Sequence, residues 1–305
     1  MRLRFGVVSA HPRRDWQSAR LIDSCARRGE VEVFRPSEVG LATDGGRTLV
    51  TARGRDAAGF DAWILARALG RRGDPDFQCA AYRALEGLGL TVLNPVDALL
   101  RAEDKIETSF HLARGGVPTP PMRAVQRLSE ARSALAALGD VVVKPPYGSL
   151  GIGIARIAAG DRDARERLAT LLDRHGVIYL QAWVGREPAE DLRLFVVGGE
   201  VQAAMVRRAR AGEFRTNIRQ GGSARAILVR PELARIAVSA ARTLGLVYAG
   251  VDIIDADAGP TVIEVNGTPS WRALFEATGR DMADAISAHA ARLAAHARPR
   301  KEAGA

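Results

Sequence analysis

Val141-Val142-Val143-Lys144-Pro145-Pro146-Tyr147-Gly148-Ser149-Leu150-Gly151-Ile152-Gly153 is a β-branched run that ends on a lysine, then a proline- and glycine-rich turn, then the start of a second apolar run reaching Ile157. Strand, pliable turn and returning strand predict a flap. Glycine lets backbone N–H groups come close to anionic oxygens, Ser149 adds a hydroxyl donor and Lys144 adds charge, a combination suited to phosphate. A P-loop is excluded, because its lysine follows the glycines at the start of a helix. An ordinary hairpin turn would explain the glycines by themselves, so the lysine carries the phosphate reading.

That lysine stands out in this chain. Of 44 basic residues only Lys105, Lys144 and Lys301 are lysine. Where lysine survives so strong an arginine bias, a compact ammonium is favoured over a planar guanidinium, and phosphate contact is one task for a point charge. Lys301 lies in the C-terminal tail. Lys105 and Lys144 stand mid-chain, where chance retention and phosphate contact are the two accounts to separate.

Upstream, residues 3–9 and 31–35 read as strands flanking a helix near 15–28, with Ala19, Leu21, Ile22 and Ala26 on one face. Apolar runs at 60–65 and 91–93 enclose a helical segment around 76–87 and continue the alternation expected of a mainly parallel sheet. Residues 1–95 are therefore expected to form a Rossmann-like domain, without a G-x-G-x-x-G after the first strand. A break at Asn94-Pro95, a helix near 104–115 and the rigid Val117-Pro118-Thr119-Pro120-Pro121 follow. Beyond them, strands at 141–144, 152–157, 178–181, 192–197, 201–207, 247–254 and 261–265 alternate with helices near 129–138, 161–174, 231–244 and 281–295. The fold class is α/β in the first part and α+β in the rest. Residues 298–305 are expected to be disordered.

Near the C-terminus, Gly250-Val251-Asp252-Ile253-Ile254 and Val262-Ile263-Glu264-Val265-Asn266 would pair as a hairpin. Alternation puts Glu264 and Asn266 on one face, and Asp252 beside them makes an all-oxygen site for magnesium that also holds ATP phosphates. A solvated strand face is the alternative. Between flap and hairpin lies a glycine-bounded loop, Gly212-Glu213-Phe214-Arg215-Thr216-Asn217-Ile218-Arg219-Gln220-Gly221-Gly222. Arg215, Thr216 and Asn217 suit phosphate or a developing oxyanion, while Arg193 and Arg208 suit substrate carboxylates. In so arginine-rich a chain, solvated surface arginines are the competing account.

Composition narrows the classes. The formal net charge of +9 raises nucleic acid as a partner, but the arginines are spread along the chain without aromatic interleaving, so nucleic acid is not expected. No apolar run approaches the ~18 residues of a membrane span. The first apolar stretch is too short for a signal peptide, and Cys25 and Cys79 lack C-x-x-C spacing, so a cytoplasmic protein is expected. His11, His111, His175, His289 and His296 show no metal spacing.

In joint order, Asp104-Lys105, Val143-Lys144-Pro145, the flap, Asp191-Leu192-Arg193, Arg207-Arg208, the 214–222 loop, 249–253 and Glu264–Asn266 resemble the ATP-grasp superfamily, specifically RimK-like α-L-glutamate ligases. The likeness spans about residues 100–280. It implies a pre-ATP-grasp domain at 1–95 and two ATP-grasp lobes at 96–180 and 181–297. It also implies that Lys105, Lys144 and the flap residues Gly148, Ser149, Gly151 and Gly153 hold ATP phosphates. Gln181-Ala182-Trp183 then line adenine and Asp191 reaches the ribose. Arg215, Thr216 and Asn217 complete the nucleotide site, with Arg208, Arg215 and Asn217 as catalytic side chains. Asp252, Glu264 and Asn266 hold magnesium, or manganese in its place. The implied reaction phosphorylates a substrate carboxylate and lets an amino group displace phosphate from the acyl phosphate.

Two departures from the family pattern matter. Leu150 stands where such flaps often carry a polar residue, and Pro269-Ser270 replaces Pro-Gly, followed by Trp271-Arg272. The Trp-Arg pair resembles relatives associated with tetrahydromethanopterin, which makes a pterin an expected acceptor and adds Trp271 and Arg272, with Arg193 and Arg208, to the substrate-binding candidates. Protein C-termini and the amino-group carriers of LysX-like enzymes are the other acceptors the resemblance allows, and L-glutamate is the expected amino acid. A homo-oligomer is compatible with it. A non-catalytic nucleotide-binding or nucleic-acid-binding protein is the reading from outside the enzymes.

Overall fold

Three main sheets and one small one carry the chain, which the computed structural model describes over residues 2–69, 73–147, 153–185, 188–216 and 221–297. Gly148, Ser149, Leu150, Gly151, Asn217 and the tail at 298–305 lie outside the described residues.

The first unit runs β1 (Leu3–Ser9), α1 (Trp16–Ala26), β2 (Gly29–Phe34), a small antiparallel sheet of β3 (Val39–Asp44), β4 (Arg47–Ala52) and β5 (Arg55–Asp56), then β6 (Ala62–Arg67), α2 (Pro75–Gly87) and β7 (Thr91–Leu93). The order β2-β1-β6-β7 is parallel throughout. Buried Phe5, Val7 and Val8 in β1, and Trp63, Ile64 and Leu65 in β6, show why: apolar on both faces, these strands belong in the middle of a covered sheet. Asp15 caps α1 by accepting from the Ser18 N–H at 2.9 Å, and Asp74 caps α2 at Phe77, 2.8 Å away, with Pro75 in the first turn.

Two helices follow where the sequence predicts one. Residues 96–103 form α3 (Val96–Glu103), and Asp104 ends it while capping α4 (Lys105–Arg114) through the Ile106 and Glu107 amides at 2.7 and 3.2 Å. The aspartate that reads as part of one helix is thus a joint that starts a new one at Lys105.

The second sheet is antiparallel, order β10-β9-β11-β8, from β8 (Met122–Val125), α5 (Leu128–Leu138), β9 (Val141–Lys144), β10 (Ala155–Ile157), α6 (Ala164–His175) and β11 (Ile178–Ala182). Its α5 and α6 cover one face with a core around Ala131, Leu135, Leu168 and Leu180.

The third sheet, order β14-β13-β12-β15-β16, is antiparallel too. It comprises β12 (Glu190–Val197), β13 (Glu200–Arg208), β14 (Ser223–Ala226), β15 (Tyr248–Ala256) and β16 (Gly259–Asn266), with α7 (Pro231–Leu244), α8 (Arg272–Thr278) and α9 (Met282–Ala297). One face, with Leu194, Val251, Ile253 and Val265, is buried with Leu233, Ala237 and Leu244 of α7. The other changes character along the strands. Phe195, Met205 and Tyr248 pack with Trp271, α9 and the first sheet, whereas Arg193, Arg207 and Asp252 farther along the same face are charged. The small sheet, β8, β14, α3 and α8 are the elements the sequence does not announce. β8 and β14 have four residues each, and β3 and β4 of the small sheet are mostly exposed and alternate weakly.

Candidate active site

A cleft of about 730 Å³ opens between the second and third sheets. Register builds its floor. Arg193 of β12 stands opposite Asp252 of β15, Asp252 opposite Glu264 of β16, and Asp191 opposite Arg207 of β13. Alternation puts all five on one face, with Asn266 two residues beyond Glu264.

These groups neutralise one another. Arg193 makes a two-point contact with Asp252, its Nη2 2.7 Å from Oδ2. Arg207 grips Asp191 at 2.7 and 2.6 Å and also reaches Asp252 Oδ2 at 2.8 Å, and the Thr216 hydroxyl donates to Asp191 at 2.6 Å. Burial alone would raise the Asp252 carboxyl, but the charges and hydrogen bonds of Arg193 and Arg207 outweigh it and hold the pKa below the ordinary aspartate value. Burial likewise opposes the charge on Arg207, and Asp252 and Asp191 more than offset it. Pairs this dry survive only because every charge has a partner.

Lys144 is poised differently. It ends β9, its Nζ donates to Gln181 Oε1 at 2.7 Å and lies 3.4 Å from the Ile263 carbonyl, and burial pulls its pKa down from 10.5 to about 8. Its contacts are to neutral acceptors, so an arriving anion would stabilise its charge. Lys105, also lowered by burial with Glu264 opposing, starts α4, and its backbone N–H is held by the Pro146 carbonyl at 3.1 Å. Two buried side-chain amides, Gln181 Nε2 and Asn266 Nδ2, have no hydrogen-bond partner among the described residues. Orphaned donors of this kind point to an absent ligand.

The upper end of the cleft is apolar. Val142, Ile154, Ala182, Trp183, Phe214 and Ile263 line it. Trp183 meets Phe214 edge-on at 5.8 Å, and the Arg156 guanidinium lies 4.5 Å from the Trp183 ring centre. A planar heterocycle fits such walls, with its anionic tail towards Lys144.

Of the residues named from sequence, Lys144, Gln181, Ala182, Trp183, Asp191, Arg215, Thr216, Asp252 and Glu264 line this one cleft. Arg215 holds Glu213 at 2.7 Å, and that hydrogen bond takes the Glu213 pKa down to about 2. Gly153, at φ 75°, closes the described end of the flap against Pro145. Gly148, Ser149, Gly151 and Asn217 lie outside the described residues.

Four of the remaining candidates have partners within the protein. Arg208 pairs with Glu190 at 2.6 Å and is exposed, because alternation turns it away and gives the inner face to Arg207. Arg193 grips Asp252 where a substrate carboxylate was expected. Trp271 is 4% exposed, packed against Trp16 and Phe195 with its Nε1 donating to Asp281, while Arg272 pairs with Glu276 on the outside of α8. Neither reaches the nucleotide cleft. Arg207, the bridge between two carboxylates, is the residue the sequence missed. Its signal was the alternation that sets it across from Asp191.

The donor set of Asp252, Glu264 and Asn266 is of the hard-oxygen kind that magnesium takes. Asp252 already accepts from Arg193 and Arg207, and Asn266 lies two residues beyond Glu264 on the same strand face.

A RimK-like ATP-grasp domain model matches residues 102–289. The chain is 32% identical to the tetrahydromethanopterin:α-L-glutamate ligase of Methanosarcina acetivorans over 93% of this chain and 97% of that one. It is 33% identical to a probable α-L-glutamate ligase of Shewanella amazonensis over 98% of each. Among solved structures it resembles the ATP-grasp ligase PsnB complexed with minimal precursor, Mg and ADP, with a TM-score of 0.74 at 20% identity, covering 95% of this chain and 98% of that one. At that identity the likeness concerns the fold.

Proposed function

The chain belongs to the RimK-like ATP-grasp family, and on that premise we propose that it adds L-glutamate to the carboxylate of a cofactor-like acceptor at the expense of ATP. It is an ATP-grasp ligase forming carbon–nitrogen bonds. Tetrahydromethanopterin, the acceptor in the name of the Methanosarcina relative, is the first candidate, and a protein C-terminus the second.

The observation that carries the reading is the row Arg193–Asp252–Glu264, buried at its first two members, with Asp252 and Glu264 lining one cleft with Lys144. Arg193 and Arg207 already compensate Asp252, which leaves Glu264 and Lys144 facing the cleft for a cation and a polyanion. The apolar walls at Trp183 and Phe214 take the base of ATP, and Lys144 and Lys105 bind its phosphates. Arg207 offers a further positive charge to the transferring phosphoryl group as the acceptor carboxylate attacks. The acyl phosphate is then opened by the glutamate amine, with phosphate leaving. Since the steps are phosphoryl and acyl transfer between bound groups, positioning and charge neutralisation suffice and no nucleophilic side chain is needed. Magnesium, held by Glu264, Asn266 and a released Asp252, would supply further neutralisation of the phosphates.

The test is incubation with ATP, magnesium, glutamate and a panel of carboxylate acceptors, reading phosphate release and product mass. Expected is one glutamyl-acceptor with matching ADP and phosphate. ATP binding without turnover across the panel would count against it.

A further inference from the structure

Asn94 joins the first sheet to the last. It directly follows β7 and is fully buried. Its Oδ1 accepts from the backbone N–H groups of Val247 at 2.7 Å and Tyr248 at 3.0 Å, and its Nδ2 donates to the carbonyls of Tyr248 and Gly267, both at 2.8 Å. Tyr248 opens β15 and Gly267 follows β16, so one carboxamide closes the open end of the hairpin that carries Asp252, Glu264 and Asn266. Two donors and two acceptors are met together. An aspartate of the same shape would turn a carboxylate oxygen towards two carbonyls.

Gly267 is braced from the opposite side. A Cβ there would come within 2.8 Å of Leu99 Cδ2 and 3.1 Å of Leu246 Cδ2. Leu99 belongs to α3, whose end at Asp104 starts α4 on Lys105. Asn94 therefore fixes the segment next to Asn266 and stands at the head of the segment that delivers Lys105.

We propose that Asn94 is a positioning residue for the reaction: through Gly267 it sets Asn266, and with it the oxygen donors for the metal, without touching substrate. This rests on the assignment of Asp252, Glu264 and Asn266 as the residues that hold magnesium. Full-length wild type, Asn94→Ala and a control, Leu85→Ala in the core of the first unit, are titrated with Mn²⁺ in the presence of ADP, with bound metal read by electron paramagnetic resonance. In Asn94→Ala the Mn²⁺ midpoint rises about tenfold or more, and turnover loses kcat more than it raises KM for ATP. Leu85→Ala loses thermal stability with the midpoint unchanged. A wild-type midpoint and kcat in folded Asn94→Ala overturn the proposal. Should that variant not fold, Gly267→Ala, which displaces the same segment from the α3 side, is read by the same two outcomes. Wild-type protein that binds no Mn²⁺ beside ADP instead overturns the metal assignment, a result distinct from the failure of Asn94 alone.

Discussion

Arg193 reaches from β12 to close a two-point ion pair on Asp252 of β15, so a carboxylate of the candidate metal site is already occupied by the protein's own cation. A metal and this guanidinium compete for the same oxygens.

Replacing Arg193 by Met leaves Asp252 buried with Arg207 as its remaining partner, at a cost of about 3–5 kcal/mol to the unliganded protein. A divalent cation compensates the partly unpaired Asp252 charge better there than in wild type. Mg²⁺ with ADP is expected to raise the melting temperature of Arg193→Met more than that of wild type. Equal shifts by differential scanning fluorimetry would separate Asp252 from the metal.

Lys144 gives a pH dependence of definite sign. Its folded-state pKa of about 8 lies below the ordinary 10.5. Between those values the unfolded chain holds a proton that the folded chain lacks, so this group makes unliganded stability rise with pH across that window and adds no slope below it. Phosphate prefers the charged ammonium, and the ADP-induced rise in melting temperature therefore shrinks as pH climbs through about 8. Lys144→Met removes that trend, and a trend that persists in the variant assigns it elsewhere.

Lys144→Arg keeps the charge and loses the fit, since a planar guanidinium cannot take the place of an ammonium between Gln181 Oε1 and the Ile263 carbonyl. The kcat is expected to fall about 100-fold, the scale of losing one aimed donor. Wild-type kinetics would reduce the rarity of lysine to chance retention.

Arg207 and Arg208 are neighbours with opposite roles. Arg207→Met strands Asp191 and part of Asp252 and costs about 3–5 kcal/mol in stability along with activity. Arg208→Gln breaks an exposed pair worth at most about 1 kcal/mol and leaves kcat near wild type. Urea unfolding and steady-state kinetics on both variants check this contrast, and equal losses would contradict the inner and outer faces assigned to them.

The main strands were legible because their apolar runs are long and interrupted by glycine or proline, and the candidate cleft because Lys144, Asp252 and Glu264 sit on otherwise apolar strands. What stayed hidden depends on tertiary pairing. Arg207 is one arginine among many until β13 is laid against β12, and Asn94 reads as the residue before a break until Tyr248 and Gly267 close around it. Asp104 read as the start of a helix near 104–115, but α3 before it stayed hidden, and Asp104 both ends α3 and caps α4. Trp271 drew notice by position, yet its ring serves the core between α1 and α9.

The most direct measurement follows the oxygen atoms. Tetrahydromethanopterin labelled with heavy oxygen in its acceptor carboxylate is incubated with the protein, ATP, magnesium and glutamate, and the released phosphate is analysed by mass spectrometry. An acyl-phosphate ligase transfers one labelled oxygen from the carboxylate to inorganic phosphate as the glutamyl amide forms. Glutamyl product accompanied by wholly unlabelled phosphate would contradict the account.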